Sequence, residues 1–140
     1  MFCTDILTNG VTEACEELGI TIVAYSPLGR GYLSGKSEGY GDVSLVMKMG
    51  PRYAEKNFQE NMGIVSAVRE MAARKSCTIA QLAINWVKAH TGTEGYPIII
   101  PTPRATTVQR VEENTMDVHV MAEEIKEDQR IFGQDASAGG

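Results

Sequence analysis

An α/β fold with parallel strands is predicted by three features of this 140-residue chain. Two short apolar runs, 20–25 and 97–101, have the β-branched composition of strands. Segments with helical periodicity alternate with them, and each strand is followed by a stretch containing glycine or proline. Strands that alternate with helices build parallel sheets whose strands are covered on both faces, so we expect both strands to be buried.

The helices are predicted from hydrophobic spacing and from capping residues. A first helix over 11–18 ends at Gly19, and its apolar face comprises Val11, Ala14, Cys15 and Leu18. Further helices are predicted from about Glu60 to near Lys75 and over 78–90, the latter with Thr78 as its N-cap. The next helix, capped by Thr106 or Thr107, runs through Asn114, and a last amphipathic stretch covers 121–132.

Residues 26–58 form the least regular part of the sequence, because glycines and prolines punctuate it. A connection of this length is usually functional or mobile, and a disordered insertion over 37–50 is the alternative. We expect one domain over 1–135, followed by a frayed Ser/Ala/Gly tail at 136–140. Two strands do not make a stable sheet by themselves, so the chain is expected to be part of something larger.

Composition narrows the classes of function. The formal net charge of −5 argues against a nucleic-acid or membrane-surface binder. No apolar run reaches the ~20 residues of a membrane span, and no secretory signal is visible. The three cysteines lack a CxxC spacing, which favours a reducing, cytoplasmic compartment and no metal site.

Two segments have the composition of anion-binding sites. The loop Ser26–Lys36 carries Gly29, Gly31 and Gly35 with two basic residues, although neither GxGxxG nor GxxxxGK[ST] is present. The segment Arg104–Asn114 follows a strand, opens a helix and contains a second arginine, Arg110. A tight turn and a capped surface helix, each with solvated charges, are equally compatible with these patterns.

The aromatic and histidine residues give weaker signals. His90 and His119 have no nucleophile or carboxylate at a diagnostic spacing, so a surface or helix-end role is expected for both. Tyr25 ends a strand, where its ring can stack on a planar ligand.

Three motifs, in order, resemble aldo-keto reductases. The first runs from Leu18-Gly19-Ile20 through Tyr25-Ser26-Pro27-Leu28-Gly29-Arg30-Gly31 to Ser34-Gly35-Lys36 and is similar to the family's seventh strand and its loop. The second, Thr78-Ile79-Ala80-Gln81-Leu82-Ala83-Ile84-Asn85-Trp86-Val87, resembles a family helix. The third, from Ile100-Pro101-Thr102-Pro103-Arg104 to Arg110-Val111-Glu112-Glu113-Asn114, resembles the eighth strand and the following helix. Asn9-Gly10-Val11 and Pro51-Arg52-Tyr53 are most similar to fungal pyridoxal reductase-like members.

The resemblance implies a (β/α)8 barrel, a fold of ~250 residues, of which this chain would form strands 7 and 8 with their helices. It implies hydride transfer from NADPH to a small-molecule carbonyl substrate. Tyr25 would stack on the nicotinamide, and the residues lining the pyrophosphate would be Ser26, Pro27, Leu28, Arg30, Gly31 and Lys36. The adenosine 2′-phosphate would be held by Arg104, Thr106 and Arg110, and the adenine contacted by Glu113 and Asn114.

Two departures from the family pattern bear on function. Arg104 stands where the family usually has glycine and Thr102 where it has isoleucine, so Arg104 either favours NADP over NAD or marks a loss of constraint. The catalytic Asp, Tyr, Lys and His of the family lie on earlier strands and have no counterpart here. We therefore assign no catalytic residue and expect no reductase activity from this chain alone. The alternatives are a non-catalytic nucleotide-binding or regulatory module, which would associate with partner strands to cover its open edges, and a truncated product without function.

Overall fold

A computed structural model describes residues 5–36, 39–43, 45–93, 95–121 and 124–125. Two strands and five helices lie in these residues, together with several short 3₁₀ turns. In chain order they are α1 (Val11–Glu17), β1 (Ile22–Tyr25), α2 (Leu45–Lys48), α3 (Phe58–Arg74), α4 (Ile79–Lys88), β2 (Ile99–Thr102) and α5 (Val108–Thr115). Most of the predicted stretch 121–132 and the whole tail 136–140 lie outside the described residues.

The two strands pair in parallel, as the alternation of strands and helices predicts. The register places Ile22 beside Ile99 and Tyr25 beside Thr102. The Ile22 amide donates to the Ile98 carbonyl at 2.9 Å, and the Thr102 hydroxyl donates to the Ala24 carbonyl at 3.3 Å. Both strands therefore end at the same edge of the sheet.

The expectation that both strands are buried on two faces is wrong. Side chains of β1 alternate in exposure, and Val23 and Tyr25 are 63% and 78% exposed. Ile100 on β2 is also exposed, whereas Ile99 on the opposite face is buried. Helix α4 packs against β2, but no described element covers the face that carries Val23, Tyr25 and Ile100. An apolar run indicates a strand, but its burial depends on neighbouring elements.

The strand bounds also differ from those predicted. β1 begins at Ile22 rather than at residue 20, and β2 covers Ile99–Thr102 rather than 97–101. Pro101, the last residue of the predicted run, lies inside β2 and pairs with Ala24. A proline is tolerated in an edge strand because its missing N–H leaves no ladder bond unmade on the outer side.

Helix α1 forms where predicted, but its predicted apolar face is wrong. Val11, Ala14 and Leu18 are exposed, with Leu18 at 72%. The buried residue is Thr12, whose hydroxyl lies 3.3 Å from the Ile6 carbonyl. Gly19 adopts a left-handed conformation at φ 63° and donates to the Glu16 carbonyl, so the predicted stop is confirmed.

The core lies mainly between α3 and α4, and it also includes Tyr32 and Leu33 from the loop that follows β1. Both helices agree with their predicted spans to within about two residues. The Thr78 side chain accepts from the Gln81 amide at 3.1 Å, and the Gln81 side chain accepts from the Thr78 amide, which completes a capping box. The buried apolar residues of this cluster are Tyr32, Leu33, Val43, Phe58, Val65, Val68, Met71, Ala72, Ile79, Leu82, Ala83 and Trp86. No described helix combines the length and the apolar character needed to cross a bilayer.

The described part of segment 26–58 is more ordered than the sequence predicts. It contains 3₁₀ turns at Gly29–Ser34, Tyr40–Asp42, Pro51–Tyr53 and Glu55–Asn57, in addition to α2. The Tyr32 ring stacks on Tyr53 at 5.6 Å, and Tyr40 meets Phe58 edge to face at 5.5 Å. These aromatic contacts give the segment order without long helices or strands.

His90 lies near the end of α4, two residues after Lys88, as expected, but it is buried rather than exposed. Only 3% of the residue is accessible, and its ring packs against Trp86 and Tyr96. Nδ1 lies 2.8 Å from the Trp86 carbonyl, which can only accept, so Nδ1 carries the proton. Burial lowers the pKa of His90, and the hydrogen bond to Trp86 opposes that shift.

We expect acid to destabilise the fold through His90. The unfolded chain binds a proton near pH 6.5, whereas the folded chain does so only at lower pH. The stability due to neutral His90 is therefore present above about pH 6.5 and is lost as the pH falls towards the lowered pKa. Denaturant unfolding between about pH 7.5 and 5.5 should give a flatter pH dependence for His90→Gln than for the unmodified chain.

The exposed His119 provides a comparison variant. His119→Gln measures the effect of removing a histidine that lies outside the core. An unchanged slope in His90→Gln would show that His90 does not couple folding to protonation.

Candidate functional site

The loop after β1 has an unusual backbone. Gly29, Arg30 and Gly31 have successive positive φ angles of 55°, 54° and 111°, and Ser26 has φ 51°. Such angles are uncommon for residues other than glycine, and strained backbone of this kind concentrates at ligand sites. A further left-handed residue, Gly35 with φ 76°, lies near the end of the loop. Just before it, the Ser34 hydroxyl donates to the Gly31 carbonyl at 2.6 Å.

Apolar anchors hold this loop in place. Tyr32 and Leu33 are fully buried in the core, and Leu28 is half-buried against it. The charged side chains of Arg30 and Lys36 remain exposed on either side of the anchors. The core thus fixes the loop while its cations face solvent.

The second predicted segment begins at the end of β2, beside Tyr25. Thr107, not Thr106, caps α5, because its hydroxyl accepts from the Arg110 amide at 3.2 Å. Arg104 and Thr106 precede this cap and are exposed. The two segments thus begin at neighbouring positions of one sheet edge.

Helix α5 presents an ion pair and a buried amide. The Arg110 guanidinium lies 2.9 Å from a Glu113 carboxylate oxygen, and both side chains are half-buried. Asn114 is buried, and its Oδ1 accepts no hydrogen bond from the described part of the chain. An unsatisfied buried carbonyl of this kind can accept from a bound ligand.

A surface cavity of about 490 Å³, called here the α5 cavity, joins the end of the loop to α5. Its walls come from the loop, α3, the start of α4 and α5, and comprise Ser34, Gly35, Arg69, Ala72, Ala73, Cys77, Thr78, Ile79, Gln109, Arg110 and Glu113. Arg110 and Glu113 are thus the predicted site residues that line this cavity.

A second cavity of about 570 Å³, called here the strand cavity, runs along β1. It brings together four other predicted residues, Tyr25, Ser26, Pro27 and Arg30, with Trp86 and His90. The loop contributes to both cavities, through Arg30 to one and through Ser34 and Gly35 to the other. The remaining predicted residues, Leu28, Gly31, Lys36, Arg104, Thr106 and Asn114, line neither of them.

The charged groups of the α5 cavity favour an anion. Arg69 and Arg110 supply two positive charges, and Glu113 supplies one negative charge that is paired with Arg110. Burial raises the pKa of Cys77, and nearby Lys75 opposes the shift, so the Cys77 thiol stays protonated near neutral pH. The cavity is therefore suited to binding rather than to thiolate chemistry.

Sequence reasoning selected neither Arg69 nor Thr78 for the site, and it placed Ser34 and Gln109 within the two candidate segments without giving them a role. Arg69 lies on an amphipathic helix, where an exposed arginine is ordinarily a solvated charge. Gln109 falls inside the segment that resembles a family motif, but the resemblance gives it no role. The described residues contain no cluster of three or more His, Cys, Asp or Glu side chains that could hold a metal ion.

Residues 1–129 match the model of the aldo/keto reductase family. A protein of Saccharomyces cerevisiae named "Putative pyridoxal reductase" is 35% identical over 123 residues, covering 81% of this chain and 36% of that protein. "Probable pyridoxal reductase 2" of Schizosaccharomyces pombe is 30% identical over 140 residues, covering 94% of this chain and 41% of its own length. "Aldo-keto reductase yakc [NADP(+)]", also of Schizosaccharomyces pombe, is 36% identical over 107 residues, covering 75% of this chain and 30% of its own length.

The chain thus spans less than half the length of these three relatives. The two paired strands with their helices are an α/β fragment consistent with part of a (β/α)8 barrel. The match covers both the strand–loop segment and the strand–helix segment described above. This chain belongs to the aldo/keto reductase family.

Proposed function

We propose that the chain is the NADP(H)-binding part of a reductase that transfers a hydride to a carbonyl substrate. The observation that carries this proposal is the α5 cavity, in which the end of the glycine loop meets Arg110 and Glu113 of α5. These groups are distant in the sequence, and the family resemblance assigns the two segments to the two halves of one dinucleotide. Membership of an oxidoreductase family and the name of one NADP(+)-dependent relative support the same proposal.

The donors in the two segments suit a phosphorylated dinucleotide. Arginine guanidinium groups bind phosphate in a planar fork, and Arg30, Arg104 and Arg110 occur in or beside the two loops. Among the described residues, no heavy atom other than those of its chain neighbours lies within 4 Å of where a Gly31 side chain would begin, so a ligand can approach the backbone there. If Arg110 is to hold a phosphate, its ion pair with Glu113 must break, or its guanidinium must contact the carboxylate and the phosphate together.

Each residue has a proposed task in positioning the dinucleotide. The nicotinamide supplies the hydride when it is bound. Tyr25, exposed at the end of β1, offers a ring face on which a planar group can stack. The loop from Ser26 to Gly31, with Lys36, would hold the pyrophosphate, while Arg104, Thr106 and Arg110 would hold the 2′-phosphate and Glu113 and Asn114 the adenine.

The substrate proposed for the whole reductase is a small aldehyde of the pyridoxal type. The names of the two fungal pyridoxal reductases support this choice. The residues that protonate the carbonyl oxygen in this family have no counterpart in the chain, so we assign it only the cofactor side.

Arg104→Ala should weaken NADPH binding more than NADH binding. Arg104 is exposed beside α5, where its charge can complement the 2′-phosphate that NADH lacks. Fluorescence titration should show a loss of about 5- to 10-fold for NADPH and little change for NADH.

Lys56→Ala removes an exposed charge that lines neither cavity and is the matched control. Equal losses for NADPH and NADH in Arg104→Ala would contradict the assignment of Arg104. Failure of the folded, unmodified chain to bind NADPH would contradict the proposed function itself.

The purified chain should show no NADPH-dependent reduction of pyridoxal or of an aromatic aldehyde. It lacks counterparts of the family's proton-donating tyrosine and of the lysine that polarises it, and without them hydride transfer has no proton source. Loss of NADPH absorbance in the presence of aldehyde is the measurement. Turnover above the background without protein would overturn this expectation.

An open sheet face supports a second candidate, a nucleotide-binding module that docks onto further strands of an aldo/keto reductase barrel. The exposed Val23, Tyr25 and Ile100 lie together on this face, and unpaired strand edges favour association. Size-exclusion chromatography and pull-down with the remaining portion of a relative's barrel should detect the complex. A well-folded monomer that binds no such portion would count against this candidate.

A further inference from the structure

Arg69 is the charged residue of the α5 cavity to which neither the sequence motifs nor the family resemblance gives a role. It lies on α3, whose buried side carries Val65 and Val68, and it lines the cavity together with residues of α5. Ala72 and Ala73, one turn further along the helix, line the same cavity with small side chains.

Arg69 and Arg110 differ in their ion pairing within the described residues. Arg110 is paired with Glu113 at 2.9 Å, so these two groups together carry no net charge. Arg69 has no ion-pair partner in the part of the chain that the structure describes. The charged side chains that line the cavity therefore sum to one positive charge, and Arg69 provides it.

A polar group on another wall adds to the suitability of this cavity for an anion. Thr78 caps the N-terminus of α4, where the helix dipole is positive, whereas the Ser34 hydroxyl already donates to the Gly31 carbonyl. Gly35 brings backbone without a side chain to the same cavity.

We infer that Arg69 binds the 2′-phosphate of NADP(H) and is a specificity-determining residue of this site. The inference rests on the proposed function and adds to it a cation on α3, an element outside both predicted segments. The 2′-phosphate is the anion chosen because the cavity lies against α5, the helix to which the adenosine end is assigned. The pyrophosphate is assigned to the loop immediately after β1, and Ser26 and Arg30 there line the other cavity.

An arginine suits this position better than a lysine. Its fork makes two parallel hydrogen bonds to one phosphate, and it remains charged at every physiological pH. Because the side chain is exposed, water and salt screen part of its attraction, and the expected effect is moderate.

The test measures the dissociation constants of NADPH, NADH and 2′,5′-ADP for the full chain and its Arg69 variants at one ionic strength. Arg69→Ala should weaken NADPH and 2′,5′-ADP about 5- to 10-fold and change NADH less than twofold. Arg69→Lys should retain part of the affinity, because it keeps the charge but loses the fork.

Arg74→Ala is the matched control, since Arg74 is exposed on the same helix and does not line the cavity. It should leave all three dissociation constants unchanged, and circular dichroism should show that every variant keeps its helix content. Unchanged NADPH affinity in Arg69→Ala, or an equal loss for NADH, would overturn the inference while leaving the proposed function intact. Failure of the unmodified chain to bind NADPH or 2′,5′-ADP would overturn both.

Discussion

The parallel pairing of β1 with β2 is the interaction on which the candidate site depends. Its register aligns Tyr25 with Thr102, so the two strands end side by side. Because they run in the same direction, the loops that follow them leave from one edge of the sheet. A change of register would separate the loop that carries Arg30 from the segment that carries Arg104, even if each kept its own conformation.

The packing of α3 and α4 is the second interaction that positions the candidate site. These helices form the crossover between β1 and β2, and they bury the middle of the glycine loop through Tyr32 and Leu33. Because the apolar core fixes the residues that follow Arg30, the loop keeps the left-handed backbone conformation at Arg30. The same helices form two walls of the α5 cavity, so packing and ligand binding share one scaffold. On the other face of the sheet Val23 and Ile100 remain exposed, which gives the fold an apolar surface without a described cover.

Local signals in the sequence predicted the helices better than they predicted burial. The Thr78 N-cap and the span of α3 depend on near neighbours in the chain, and both are confirmed. The exposure of Val23 and of Leu18 depends on which elements lie opposite them, which composition does not encode. The residues of the candidate site also differ in whether the sequence predicts them. Its motifs could be recognised from residues in sequence order, whereas Arg69 enters the cavity only because α3 and α5 both pack against α4.

The central claim is that two segments distant in the sequence bind one NADP(H) molecule. Hydrogen–deuterium exchange of the chain with and without saturating NADPH tests this claim most directly, because it reports on both segments in one experiment. The account predicts slower exchange over 26–36 and over 104–115, with no change in α1 (Val11–Glu17), which lines neither cavity. Protection of only one segment, or protection confined to residues outside both, would contradict it.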